Sequence, residues 1–143
     1  MQELIEGDRT VLKIAAGEEL FDVFRSYASR HGVRAGIVVE GIGMLKDATL
    51  GYWNGQEYEP RTLATPHELV GLHGSIAEVD GAPSLHLHAA LAGPDHRVLG
   101  GHLLHGVVGV VVEAYITTFP GRSFGRPLDE SLGLRTLDLA PGP

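Results

Sequence analysis

Only one segment of this chain has the periodicity of an α-helix, and most of the chain beyond that segment has the pattern of β-strands. Apolar residues recur at helical spacing through residues 18–31, where Glu18 and Glu19 occupy the first turn and Gly32 follows the last. Asn-Gly and Asp-Gly turn signals separate the short apolar runs elsewhere. One helix with many closely connected strands predicts an α+β fold, with a mostly antiparallel sheet packed against one main helix. The candidate strands cover residues 10–15, 35–40, 46–53, 67–79, 84–92, 97–104, 107–117 and 134–139.

The size and composition of the chain limit its organisation. Its 143 residues can form one hydrophobic core but not two, so we expect one domain over residues 1–139 and a flexible tail at 140–143. The absence of cysteine excludes disulfides, thiolate metal sites and cysteine nucleophiles. The acidic N-terminus lacks the pattern of a signal peptide, and no apolar run approaches the roughly 20 residues that span a bilayer. We therefore expect a soluble, cytoplasmic protein without membrane contact.

The charge balance argues against nucleic acid as a general partner. The formal net charge is −7, whereas neutralisation of phosphates by basic residues supplies most non-specific affinity for DNA. The sequence Gly125-Arg126-Pro127 is similar to the core of an AT-hook, whose arginines enter the minor groove. The hook requires arginine before that glycine, where Phe124 stands, and acidic residues follow directly. This segment is therefore predicted to be a surface loop.

Two glycines interrupt the chain between two candidate strands, in Gly41-Ile42-Gly43. They do not begin a dinucleotide-binding fingerprint, because the third glycine of that motif is missing. The pair instead predicts a β-bulge or a close approach of two backbones.

Three histidines in apolar or glycine-rich surroundings form the strongest chemical signal. On a strand over residues 84–92, His86 and His88 would share one face, about 7 Å apart along the backbone. A neighbouring strand that carries His102 could supply a third imidazole. Three neutral imidazoles leave a coordination position open, which is typical of zinc sites that bind or activate a small molecule, although other divalent transition metals also accept such ligands. Alternatively, the histidines could bond across the sheet or lie at a subunit contact.

Two carboxylates, Glu40 and Glu113, lie within apolar candidate strands. Either could be a fourth metal ligand, a partner that orients an imidazole, or a general base. Either could equally be a paired charge at a strand end. Glu113 is the stronger candidate, because it interrupts the most apolar strand, where desolvation would raise its pKa unless it is paired. Both are predicted catalytic residues if the chain is an enzyme.

The order of several motifs resembles the PPC domain family, the plant and prokaryote conserved domain, over about residues 8–139. The resemblance implies a compact α+β subunit that assembles as a homotrimer. It also implies that His86, His88 and His102 occupy the positions that hold zinc in the stand-alone prokaryotic form. The motifs are Gly17-Glu18-Glu19-Leu20, His31-Gly32-Val33-Arg34-Ala35-Gly36, Gly41-Ile42-Gly43, Glu68-Leu69-Val70-Gly71-Leu72-His73-Gly74, His86-Leu87-His88-Ala89 and Gly100-Gly101-His102-Leu103.

The partners implied by the resemblance differ between plants and prokaryotes. In plants the domain accompanies AT-hooks and contacts transcription factors through a Gly-Arg-Phe-Glu-Ile-Leu segment. The equivalent stretch here, residues 65–70, is Thr-Pro-His-Glu-Leu-Val, so the plant motif does not carry over. Plant members generally lack the three histidines, which indicates a different role for the prokaryotic site.

Two functions from different classes remain open. The first is a trimeric zinc-binding module with a DNA-associated or regulatory role, which the resemblance favours and the net charge opposes. The second is a metal-dependent hydrolase or lyase that acts on a small molecule through zinc-bound water, with Glu40 or Glu113 as base.

Overall fold

The computed structural model describes residues 1–139, which form a single helix and a set of antiparallel strands. This arrangement confirms the predicted α+β class with a mostly antiparallel sheet. The predicted tail at residues 140–143 lies outside the described residues. No helix in the described part of the chain is long and apolar enough to cross a membrane. The elements are β1 (Gln2–Glu6), β2 (Arg9–Ala15), α1 (Leu20–His31), β3 (Gly36–Trp53), β4 (Tyr58–Leu63), β5 (His67–Val79), β6 (Ala82–Ala92), β7 (Val98–Thr118), β8 (Leu128–Asp129) and β9 (Leu134–Arg135).

Two strands are longer than their sequence patterns indicate. β3 joins the segments predicted at 35–40 and 46–53, and β7 joins those at 97–104 and 107–117. The register between β3 and β7 shifts at several points, so both strands bend while they remain paired. Gly43 lies at one of these shifts with a φ of 146°, and a side chain there would overlap the backbone of Val111. The predicted bulge and close backbone approach are both present.

The sequence patterns miss β1 and β4 because both are edge strands. All five side chains of β1 are exposed, and β4 contains Pro60 and four exposed positions. Strands of this kind bury almost nothing, so they lack the alternation that identifies a half-buried strand. The strand predicted at 134–139 is wrong over most of its length, since only β9 is extended there and pairs with β8.

The main sheet closes on itself. Its strand order is β1-β2-β7-β6-β5-β3-β4, and an additional pairing joins β7 to β3. The strands β7, β6, β5 and β3 therefore form a ring, from which β2 and β4 extend. Inward side chains of the ring and the apolar face of α1 build one core, which includes Phe24, Leu72, Leu87, Leu103 and Val112.

The helix is anchored at its start and along one face. The carboxylate of Glu19 accepts a hydrogen bond from the backbone N–H of Asp22 at 2.9 Å, which caps the helix. The hydroxyls of Tyr27 and Thr10 share a buried hydrogen bond of 2.7 Å that joins α1 to β2, and burial raises the pKa of Tyr27. The apolar residues at helical spacing form the buried face of α1, which consists of Leu20, Val23, Phe24, Tyr27 and Ala28.

Candidate metal centre

β6 places two of the predicted ligands on the same side of the sheet. Leu87 and Ala89 point into the core, where they are buried. His86 and His88 alternate with them and therefore lie on the outer face. His86 is half-buried and His88 is exposed. The structure thus gives this pair the common face that the strand pattern predicts.

The pairing of β6 with β7 brings the third histidine to the same face. His88 stands directly opposite His102, and residues in that relation share a face of the sheet. Within residues 1–139, these three form the one group of at least three histidine or carboxylate side chains whose ligand atoms all lie within 4.8 Å of one another. The structure therefore brings the three predicted ligands together.

The positions of the ring nitrogens fit a single metal ion. The Nε2 atoms of His86 and His88 are 3.1 Å apart. Two nitrogens on a tetrahedral zinc, each about 2.0–2.1 Å from the ion, are separated by about 3.4 Å. Nδ1 of His102 is buried and has no hydrogen-bond partner in the described part of the chain, which is costly unless a ligand satisfies it. The Nε2 separation is compatible with a shared ion, and the unsatisfied Nδ1 of His102 favours a metal-binding role over simple bonding between the rings.

The surroundings hold the imidazoles of His86 and His102 in the form that binds metals. The pKa of His102 is lowered to about 4, first by burial and then by the neighbouring His86, His88 and Arg126 in that order. The pKa of His86 is also lowered, first by burial and then by Arg126 and His88. Both rings are therefore neutral at pH 7. Only the neutral ring has a nitrogen lone pair to donate to an ion.

Two side chains that the sequence analysis did not select also belong to this site. The ring of Tyr58, on the unpredicted strand β4, stacks on His102 with centroids 4.6 Å apart. Nη1 of Arg126 lies 3.5 Å from Nδ1 of His86, at the outer limit of a hydrogen bond. Nη2 of Arg126 donates to Oγ of Ser75 at 2.5 Å. Ser75 faces His86 across β5 and β6, so its position follows from the register of the sheet.

Arg126 reaches the site because the chain folds back over the sheet after β7. The backbone N–H of Glu78 donates to the carbonyl of Phe124 at 2.9 Å, and Gly125 exchanges two backbone hydrogen bonds with Asp138. Arg126 is only 5% exposed. The prediction of a surface loop is therefore wrong for this residue. Local sequence carries no signal for it, because its burial depends on a contact with β5 more than 40 residues earlier in the chain.

A cavity of about 440 Å³ adjoins two of the three histidines, His86 and His102. Its volume lies within the range of about 300–1,000 Å³ that is usual for small-molecule sites. His86 and His102 contribute to one wall, and Arg126 and Arg135 contribute the charged groups. Its apolar lining comes from Tyr58, Leu85, Leu134 and Leu137.

Neither predicted catalytic carboxylate joins the histidine group. Glu40 accepts a hydrogen bond from the N–H of Gly41 at 3.0 Å, and its Oε1 lies 3.9 Å from Nε2 of His73. Glu113 is exposed and accepts a hydrogen bond from the hydroxyl of Tyr115 at 3.3 Å. The expectation that Glu113 is desolvated is wrong, because its side chain lies on the outer face of β7. A catalytic role for either carboxylate remains a prediction.

Comparison with known proteins identifies related sequences over most of the chain. The model of the Plants and Prokaryotes Conserved (PCC) domain matches residues 1–120. A bifunctional protein GlmU from Synechococcus is 29% identical over 129 residues, which cover 90% of this chain and 20% of that protein. The chain thus spans about a fifth of the length of the curated relatives it matches.

Solved structures with the same fold cover nearly the whole chain. A plant- and prokaryote-conserved protein from Pyrococcus horikoshii is 31% identical with a TM-score of 0.82, covering 91% of this chain and 92% of that one. A metal-containing protein from Archaeoglobus fulgidus is 28% identical with a TM-score of 0.84, covering 95% and 97%. A candidate DNA-binding protein from Bacteroides thetaiotaomicron has a TM-score of 0.89 and covers 96% of both chains, but at 24% identity it supports the fold alone.

Proposed function

Because the chain belongs to the Plants and Prokaryotes Conserved domain family, we propose that it is a zinc-binding module that presents the ion to a small molecule. His86, His88 and His102 hold the zinc in this proposal. The observation that carries it is the convergence of three imidazoles on one face of the sheet. The Archaeoglobus fulgidus protein, which is described as containing metal, lends support. A bound zinc would supply a Lewis acid and lower the pKa of a coordinated water.

The protein's own groups suit the binding of a small molecule beside the ion. Three imidazoles leave a coordination position open, and the adjoining cavity has room for a ligand. The aromatic ring of Tyr58 restricts the orientation of His102 by stacking on it. In the enzymatic form of the proposal, the chain is a metal-dependent hydrolase or lyase that acts on the molecule in this cavity.

Association with DNA, in a regulatory role, is the second candidate function. Membership of the Plants and Prokaryotes Conserved domain family favours it, because plant members of that family accompany AT-hooks. The net charge of −7 opposes it, because DNA binding depends on basic side chains that displace counterions. The exposed basic side chains near the end of α1, Arg25 and Arg30, do not reverse this balance, since both contact carboxylates.

Metal content and DNA retention, measured on the same untagged sample, separate the two candidates. We expect about one zinc per chain by mass spectrometry, in keeping with a single three-histidine site. We expect no retention on duplex DNA at low salt, where even non-specific binding is strongest. Zinc-free protein that also fails to take up added zinc would contradict the first candidate. Retention that weakens steeply with salt would instead support the second.

We also propose that the chain assembles as a homotrimer through the outer face of β3 and β7. Apolar side chains are exposed there, although monomeric soluble proteins rarely expose large contiguous apolar patches. Contact between this face of three copies around one axis would remove these side chains from water. The exposed apolar residues are Ile37, Val39, Ile42, Val110 and Tyr115.

Light scattering should give a mass three times that of the 15.3 kDa chain. Replacing Val39, which is 51% exposed, with aspartate should shift the mass toward the single chain, because a charge would be buried without a partner. Val98 is 56% exposed at the start of β7, and Val98→Asp is the matched control that should leave the trimer intact. A wild-type mass equal to one chain would refute the assembly.

A further inference from the structure

Arg126 is a buried cation that has no anionic partner among residues 1–139. It is 5% exposed, and it forms no ion pair with any carboxylate in residues 1–139. Its Nε is buried and has no hydrogen-bond partner. Taking a charged group out of water is costly unless it is paired, and an unpaired buried donor adds to that cost. A residue kept in this state next to a cavity is available for a ligand.

The contacts that Arg126 does make leave its charge uncompensated. Nη2 donates to Oγ of Ser75, and the same nitrogen lies 3.5 Å from the carbonyl oxygen of Ser75. Nη1 has only the 3.5 Å contact with Nδ1 of His86. These acceptors are neutral. The position of Arg126 is fixed by Ser75 and by Arg135, whose Nη1 donates to the Arg126 carbonyl at 2.8 Å.

The charges around the cavity all have the same sign. Among its lining residues in the described part of the chain, Arg126 and Arg135 are charged and none is a carboxylate. Histidine ligands supply no negative charge, so a divalent ion held by them would add positive charge that no lining side chain offsets. An electrostatic field of this kind attracts an anion. The leucines of the lining provide an apolar surface for the rest of the molecule.

We propose that the cavity binds a small organic anion, with its carboxylate or phosphate group on Arg126 and its apolar body against Leu85, Leu134 and Leu137. Guanidinium groups pair with both kinds of oxyanion through two parallel hydrogen bonds. The contribution of the metal to anion binding rests on the zinc-binding function proposed above. The contribution of Arg126 does not, since its burial and missing partner are properties of the chain alone.

Calorimetric titration with matched probes tests this assignment. Benzoate supplies a carboxylate on an apolar ring, phenyl phosphate supplies the phosphate group, and benzamide is the uncharged control. We expect either anion, but not benzamide, to bind zinc-loaded wild-type protein. Arg126→Gln should weaken anion binding at least about tenfold, as expected for the loss of a charged hydrogen-bond partner. Arg97→Gln, at a side chain that is 88% exposed, should change it less than about twofold.

The outcomes separate this inference from the zinc proposal. Protein that binds zinc but binds benzoate and phenyl phosphate no better than benzamide would refute the anion site and leave the zinc site standing. Protein that binds no zinc would refute the zinc site, and the same titrations on the metal-free chain would then decide the role of Arg126. If Arg126→Gln does not fold, Arg126→Lys keeps the charge but not the paired geometry. The Arg126→Lys protein should bind the probes more weakly than the wild type and more tightly than any uncharged variant that folds. Unchanged affinity of the Arg126→Lys protein would contradict the proposal.

Discussion

Replacing both His86 and His88 with alanine is expected to reduce the zinc content from about one ion per chain to essentially none. The two Nε2 atoms that lie 3.1 Å apart would be lost, and His102 would remain as a single imidazole. One imidazole cannot compete with water and buffer for an ion that prefers four ligands. The fold should survive, because both side chains lie on the outer face and His88 is exposed. Mass spectrometry of untagged protein measures the metal, and circular dichroism measures the fold.

His31→Ala combined with His67→Ala is the matched control for this double variant. Both residues are histidines outside the group of converging ligand atoms. His31 contacts Glu3, and Nδ1 of His67 lies 2.7 Å from the carbonyl of Thr65. We expect this control to keep the wild-type zinc content. Retention of zinc by the His86 and His88 double variant would show that the ion binds elsewhere, and loss of zinc from the control would point to general chelation by exposed histidines.

Gly74→Ala is expected to be among the most destabilising single substitutions in the chain. A methyl group on Gly74 would overlap the backbone carbonyl oxygen of His86 and would also press on a methyl group of Leu87, which is fully buried. Neither β5 nor β6 can move freely, since each pairs with a strand on both sides in the closed ring. Overpacking of this kind costs about 3 kcal/mol or more when the obstacle is backbone. Urea denaturation measures the free energy of unfolding.

Gly100→Ala is the control for this substitution, on β7, which pairs with the other side of β6. The nearest atom to a methyl group on Gly100 is the carbonyl oxygen of Ala89 at 3.4 Å, which is close to ordinary contact. Its effect on stability should be less than about 1 kcal/mol. Because the overlap at Gly74 falls on His86 itself, Gly74→Ala should also weaken zinc binding, whereas Gly100→Ala should not. Equal stability of the two variants would mean that β5 and β6 can separate more easily than the ring topology implies.

The local periodicity of the chain was sufficient to predict much of the fold. Alternation along β6 depends only on the geometry of an extended backbone, so the common face of His86 and His88 could be predicted without knowing the neighbouring strands. The position of α1 follows in the same way from helical spacing and its end signals. Edge strand β4 could not be predicted, because its exposed side chains lack a buried face. The ring of Tyr58, which lies on β4, was therefore missing from the predicted site.

Contacts between distant segments decided the rest. His102 was a candidate ligand by residue type, but its place beside His88 depends on the register of β6 and β7. Glu113 lies in a sequence that is apolar on both faces of the strand, and the packing of Val112 and Ala114 into the core is what leaves it exposed. Arg126 lies in a segment whose local sequence predicts an exposed loop, and the return of the chain to β5 buries it beside His86. The sequence by itself determined which side chains share a face of each helix or strand, since that depends only on spacing along the chain. The tertiary structure alone decided which groups meet, since burial and charge at the site come from segments far apart in sequence.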